Sequence, residues 1–177
     1  MIIGIPKENR PYEYRVGMSP AGVEILTQRG HTVYVEHEAG LGAGFSDLEY
    51  EKSGARLVYA AEEVFARADL LLKMARPFKS EIEWLQPEAV LMGMLHLASA
   101  KQDKVDLLIA KKITSIVAST PDYNTKSVEA AYVAVCHPDL DSDIRGMTGF
   151  KPVSDYGPHT SPMEGEIGSV EQVRYLA

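Results

Sequence analysis

Cysteine is almost missing from this 177-residue chain: Cys136 stands alone, so no internal disulfide can form. A lone thiol fits a reducing compartment, where covalent staples are rarely used. No apolar run approaches the ~20 residues that a membrane-spanning helix needs. The start "MIIGIPKENR" also lacks the charged lead and long apolar stretch of a secretory signal. Positive charge is scarce as well. The 25 acidic residues outnumber the 18 lysines and arginines, giving a net charge of -7 and a pI near 5.2. Most of such a surface repels phosphates, which argues against nucleic acid or an anionic membrane as partner. The expectation is a cytoplasmic protein with no nucleic-acid and no membrane partner.

What is present is enough apolar residue, 45% of the chain, to bury one full core. Short β-rich runs alternate with helical segments through the first two thirds. "IIGI" reads as a buried strand, after which Ser19 caps a helix, Pro20 suits its first position and Gly30 stops it. "HTVYVE" is a second strand. Ser46 and Glu49 stand at capping-box spacing before a helix that Gly54 ends. "RLVY", "LLLK", "AVLMGML" and "ITSIVA" continue as strands, with helices over 61–68, 81–85 and 101–112 between them. This alternation with short connections predicts an open parallel α/β sheet with helices on both faces. One amphipathic helix, capped near Thr125, follows. Residues 136–177 are dense in proline, glycine and aspartate and read as a loop-rich C-terminal extension. The division expected is a domain over 1–135 and a tail over 136–177 that docks a partner or is poorly ordered.

In open parallel sheets ligands bind beyond the carboxyl ends of the strands. Arg15 lies in the loop leaving "IIGI", Lys73 closes "LLLK", and His96 follows "AVLMGML". Arginine offers a planar fork matching a carboxylate, lysine a point charge, and histidine a proton near neutral pH. Together they describe a pocket for a small carboxylate bearing a carbonyl or amine. The alternative is that Arg15 pairs with Glu8 or Glu13, Lys73 is a solvated strand end and His96 a packed imidazole.

Three patterns imitate other sites. "GLGAGF" sits between a strand and a helix as a dinucleotide fingerprint should, but Phe45 stands where the third glycine belongs. A glycine-rich turn before the Ser46 cap is expected instead. "DLDSDIRG" opens like a calcium loop, yet Ile144 and Phe150 occupy its glycine and bidentate-glutamate positions. Cys136, His137 and His159 have irregular spacing for zinc. No metal site is expected.

The segments "MIIGIPKENRPYEYRVGMSPAGV", "EAGLGAGFSDLEY", "ADLLLKMARP" and "MLHLAS" occur in order. As a set they resemble the amino-terminal domain shared by alanine dehydrogenase and the nicotinamide nucleotide transhydrogenase alpha subunit. The resemblance runs from residue 1 to about 118. It is closer to alanine dehydrogenase, because transhydrogenases lack the histidine of "MLHLAS". It implies that Arg15 holds a substrate carboxylate and that His96 takes part in acid–base catalysis of the NAD-dependent deamination of L-alanine to pyruvate and ammonia, usually in homo-oligomers. A lysine that binds the substrate in the family corresponds to Ala75, while Lys73 matches a structural lysine and Arg76 is the adjacent cation. Lys73 and Arg76 remain candidate substrate-binding residues. The family's Rossmann domain with its own glycine-rich loop has no match here. No cofactor is therefore expected in this chain, NAD being implied only if a nucleotide-binding domain is supplied in trans by a partner chain. The other expectation is a stand-alone module binding a small amino or 2-oxo acid without redox chemistry.

Overall fold

The structure, a computed structural model, describes residues 1–95, 100–118, 132–135, 141–148, 150–155, 166–170 and 173–176. Strands β1 (Ile2–Ile5), β2 (Thr32–Glu36), β3 (Arg56–Val58), β4 (Leu70–Lys73), β5 (Val90–Gly93) and β6 (Thr114–Ala118) form an all-parallel open sheet. Their order is β3-β2-β1-β4-β5-β6. Between them run α1 (Pro20–Gln28), α2 (Asp47–Lys52), α3 (Ala61–Arg67), α4 (Lys79–Trp84) and α5 (Gln102–Ala110).

Side chains alternate across the sheet and so build two cores. Ile3, Ile5, Val33 and Val35 pack with Val23 of α1 and Tyr50 of α2 on one face. Leu71 and Leu91 pack with Val64 and Phe65 of α3, Ile82 of α4 and Leu108 of α5 on the other. Leu71 and Leu72, neighbours in the chain, belong to opposite cores. Each fully buried aliphatic or aromatic side chain contributes about 1.5–3 kcal/mol. The expected sheet with helices on both faces is therefore present.

Local signals explain the helix ends. The Ser19 hydroxyl accepts from the Gly22 N–H, and Pro20 occupies the first turn. At the other end Gly30 takes φ +84°, and the N–H groups of Gly30 and His31 donate to the carbonyls of Thr27 and Leu26. The Glu49 carboxylate accepts from the Ser46 N–H and hydroxyl at 2.7 Å each, closing the start of α2. The Tyr50 hydroxyl donates to the Met18 carbonyl at 2.7 Å, joining α2 to the turn before α1, and burial pushes its pKa up to about 12.

The loop reading of 136–177 needs correction. The described residues there include α6 (Asp141–Arg145), β8 (Lys151–Pro152), β9 (Glu166–Val170) and β10 (Val173–Leu176). With β7 (Tyr132–Val135), which runs antiparallel to β6, these strands extend the sheet to ten in the order β6-β7-β10-β9-β8. Each is short, and β10 pairs in parallel with β7 some forty residues earlier. Such long-range pairing outweighs the local turn composition. The α6 helix begins within the "DLDSDIRG" run. The helix expected near Thr125, and Cys136, His137 and His159, lie outside the described residues. Among the described residues no helix is long and apolar enough to cross a membrane.

Candidate functional site

In the order β3-β2-β1-β4-β5-β6 the chain reverses direction across the sheet between β1 and β4, which leaves a crevice at their carboxyl ends. Two segments line it: residues 6–19 after β1 and residues 74–78 after β4. Gly17 lets the first segment lie directly on the Leu72 carbonyl, a space that any Cβ would fill.

Beneath the crevice lies a buried three-charge cluster. The Lys73 ammonium donates to Glu8 Oε2 at 3.0 Å and to Glu81 Oε1 at 3.2 Å, and all three side chains are at most 3% exposed. Glu8 also accepts from the N–H groups of Met74 (2.6 Å) and Ala75 (3.3 Å), so it shapes the second segment. Glu81 accepts from the Phe78 N–H at 2.6 Å and thereby starts α4. Lys73, expected among the carboxylate binders, is instead occupied by two carboxylates of its own chain. Glu8 and Glu81 were missed as a pair. The spacing from Phe78 to Glu81, that of a capping residue on its helix start, was the available signal.

Arg15 sits above, with its side chain 56% exposed. Glu13 holds it with two hydrogen bonds, Nε to Oε1 at 2.8 Å and Nη2 to Oε2 at 2.6 Å, while Nη1 donates to Met94 Sδ at 3.4 Å. The guanidinium holds the Glu13 carboxyl below its usual range, and Glu13 in turn raises the Arg15 pKa. The pair is thus fully charged near neutrality. Of the two partners considered for Arg15, the structure selects Glu13. Around the pair is a cavity of about 170 Å³ lined by Arg10, Glu13, Arg15, Met74, Ala75, Arg76 and Met94. Arg15 and Arg76 are brought together there, with Ala75 between the strand end and Arg76. Arg10, which sequence reasoning overlooked, donates from Nε to the Arg76 carbonyl at 3.0 Å and pins the second segment to the first. His96 lies outside the described residues.

At the end of β2, half-buried Glu36 accepts from the Lys7 N–H at 2.8 Å. Burial is the main cause that raises its pKa, with Glu81 adding and Lys7 and Lys73 opposing. A carboxyl whose folded pKa lies above its unfolded value favours the folded state least once ionised. Stability therefore falls as pH rises from the ordinary carboxylate range through the folded pKa. Glu36→Gln keeps an acceptor for Lys7 and is expected to remove this component. Urea unfolding across that pH window should show the variant gaining on the parent as pH rises, and parallel curves would contradict the assignment.

The "GLGAGF" stretch does not form a phosphate cradle. Leu41–Ala43 make one turn of 3-10 helix, Gly40 is packed against the Tyr50 ring and Phe45, and Gly42 lies on the Tyr14 backbone. The start of α2 is already taken by the Glu49 carboxylate. Among the described residues nothing here fits a dinucleotide.

Fold and crevice together define a doubly wound, Rossmann-like α/β domain with three arginines, Arg10, Arg15 and Arg76, at its switch point. The chain belongs to the family described as "Alanine dehydrogenase/PNT, N-terminal domain", which matches residues 4–130 and is NAD-linked. It is 41% identical over 128 residues to the alanine dehydrogenase of Methanococcus maripaludis, covering 72% of this chain and 34% of that protein. Against the alanine dehydrogenase of Mycolicibacterium smegmatis identity is 41% over 120 residues, covering 68% and 32%. A solved L-alanine dehydrogenase superposes with a TM-score of 0.65 at 37% identity, covering 72% of this chain and 35% of that one. A transhydrogenase from Sinorhizobium meliloti gives 0.60 at 34% identity, covering 67% and 33%. The chain spans about a third of the length of these relatives.

Proposed function

We propose that the crevice between β1 and β4 binds a small 2-oxo or 2-amino acid of the pyruvate and alanine class, with its carboxylate on Arg15. The observation that carries this reading is the Glu13–Arg15 pair. A half-exposed guanidinium in a cavity at the switch point already holds a carboxylate in two-point geometry, the geometry that a ligand's carboxylate requires. Glu13 occupies the place until the ligand arrives. Arg76, on the same cavity wall, adds positive charge. His96, which follows β5 at this edge in sequence, is assigned the proton transfer at the ligand's carbonyl or amine. Membership in the family supports this choice of ligand. The hydride step is assigned to NAD held by a nucleotide-binding domain acting with this one, a reading that membership in the family supports.

Calorimetry with pyruvate and with L-alanine tests the reading. Arg15→Ala is expected to cost about 2 kcal/mol or more, roughly thirtyfold in affinity, as for a charged hydrogen-bond partner. Glu13→Gln should tighten binding about fivefold, because a ligand then displaces a neutral group and meets no like charge. Binding indifferent to Arg15→Ala would sink the clamp.

A second reading, a binding module without redox chemistry, is favoured by Ala75. Its methyl group lines the cavity where the family resemblance places a substrate-binding ammonium. If the pocket keeps the family's ligand pose, Ala75→Lys strengthens pyruvate binding; no gain favours the second reading.

A further inference from the structure

On the far side of residues 74–78 lies a larger cavity of about 500 Å³, running from this segment to the start of α5. Its wall carries five cations, Arg10, Arg76, Lys79, Lys101 and Lys104, against one carboxylate, Asp103. That is five of the chain's 18 basic residues on one concavity, in a protein whose net charge is -7. Two of these cations flank a single ring. The Arg10 guanidinium lies 4.7 Å from the centre of Phe78 and the Lys104 ammonium 5.7 Å from it. Lys104 is held in place by donating to the Pro77 carbonyl at 3.0 Å. Among the described residues, Arg10, Lys79, Lys101 and Lys104 have no carboxylate within ion-pair distance. Burial is the main cause that lowers the Lys104 pKa, with the charges of Arg10 and Arg76 adding and those of Asp103 and Glu81 opposing. The rest of the wall is apolar, from Ile82, Leu95 and Leu108.

Uncompensated like charge destabilises a fold unless something pairs with it. The Arg15 crevice, at about 170 Å³, suits one carboxylate, whereas this cavity falls in the range of about 300–1,000 Å³ that holds a larger organic ligand. We propose that it is a second ligand site, specific for a small organic anion of two or more negative charges, either a phosphorylated metabolite or a polycarboxylate. Cations from three separate segments converge on the anionic groups, and the apolar wall covers the ligand's carbon body. The site stands apart from the proposed pyruvate and alanine clamp, although Arg10 and Arg76 border both cavities.

The test uses the full chain with sodium pyrophosphate, citrate and pyruvate as probes, at matched ionic strength, by calorimetry and thermal shift. At least one polyanion should bind about tenfold or more tighter than chloride-matched buffer controls allow for non-specific screening. Pyrophosphate alone would assign a phosphorylated ligand, and citrate alone a polycarboxylate. Lys101 is exposed and bonded to no carboxylate, so Lys101→Glu reverses its charge without disturbing the core. It should weaken the polyanion about tenfold or more, and Lys104→Gln should do likewise, while pyruvate binding stays unchanged. Arg15→Ala should show the converse pattern, losing pyruvate and keeping the polyanion. No polyanion binding at millimolar concentration, or binding untouched by Lys101→Glu, overturns the proposal whether or not the Arg15 clamp survives.

Discussion

Lys73→Met is expected to cost about 3–5 kcal/mol of folding stability, the range found when one partner of a buried ionic group is removed. Methionine fills much the same volume, so the loss is electrostatic rather than a cavity effect. Glu8 and Glu81 would remain at most 3% exposed with no cation between them. Unfolding in urea measures the loss, and a change under about 1 kcal/mol would refute the structural role of Lys73. Adding Glu81→Gln should recover part of the stability, because one of the two stranded charges is then neutral. Neutralising Glu8 should not recover it equally. That carboxylate also holds the Met74 and Ala75 N–H groups, which would lose their charged acceptor.

The second large effect is expected at Gly93. This residue pairs with Lys73 across the β4–β5 ladder, and an added Cβ would fall on the Lys73 carbonyl. Backbone cannot rotate aside as a side chain can, so relief requires β4 and β5 to separate. Gly93→Ala should therefore cost about 3 kcal/mol or more, at the upper end for overpacking. Gly30→Ala is the informative contrast. Gly30 has φ +84° with nothing within 4 Å of an added Cβ. Its cost is conformational alone, about 1–2 kcal/mol. Equal losses at the two positions in thermal or urea unfolding would show that contact with Lys73 is not the cause.

Most of the parallel sheet was legible because its signals are local. "IIGI", "TVYVE" and "LLLK" are runs of branched and aliphatic residues closed by proline, histidine or lysine, and Ser19, Pro20 and Gly30 bracket α1 as their backbone chemistry requires. The end of α5 is a subtler case. Lys112 does there what Gly30 does after α1, at φ 55°, with the N–H groups of Lys112 and Ile113 donating to Ile109 and Leu108. A lysine in that conformation carries no local signature. The site was legible in the same uneven way. Arg15 and Glu13 are two residues apart, so their pairing could be considered from the sequence. Lys73 and Glu8 are 65 residues apart, and Arg10 and Arg76 are 66 apart. Only the β1–β4 pairing brings them together, and with it changes Lys73 from a free cation into a buried tie. The strands beyond β6 were missed for a related reason: β9 and β10 form a local antiparallel pair, but it joins the sheet only through β7, some forty residues earlier in the chain.

The carboxylate of Glu8 reaches one strand end from the other, and the backbone of residues 74 and 75 hangs on it. No arrangement of the chain therefore has the Arg15 crevice formed while β1 and β4 are apart. Ligand occupancy and the integrity of the central strand pair become one equilibrium. By mass action, a ligand at a hundred times its dissociation constant adds about 2.7 kcal/mol to the unfolding free energy. That energy would be felt at the middle of the sheet, so a small acid bound at the proposed site would act as a structural fastener for the whole domain.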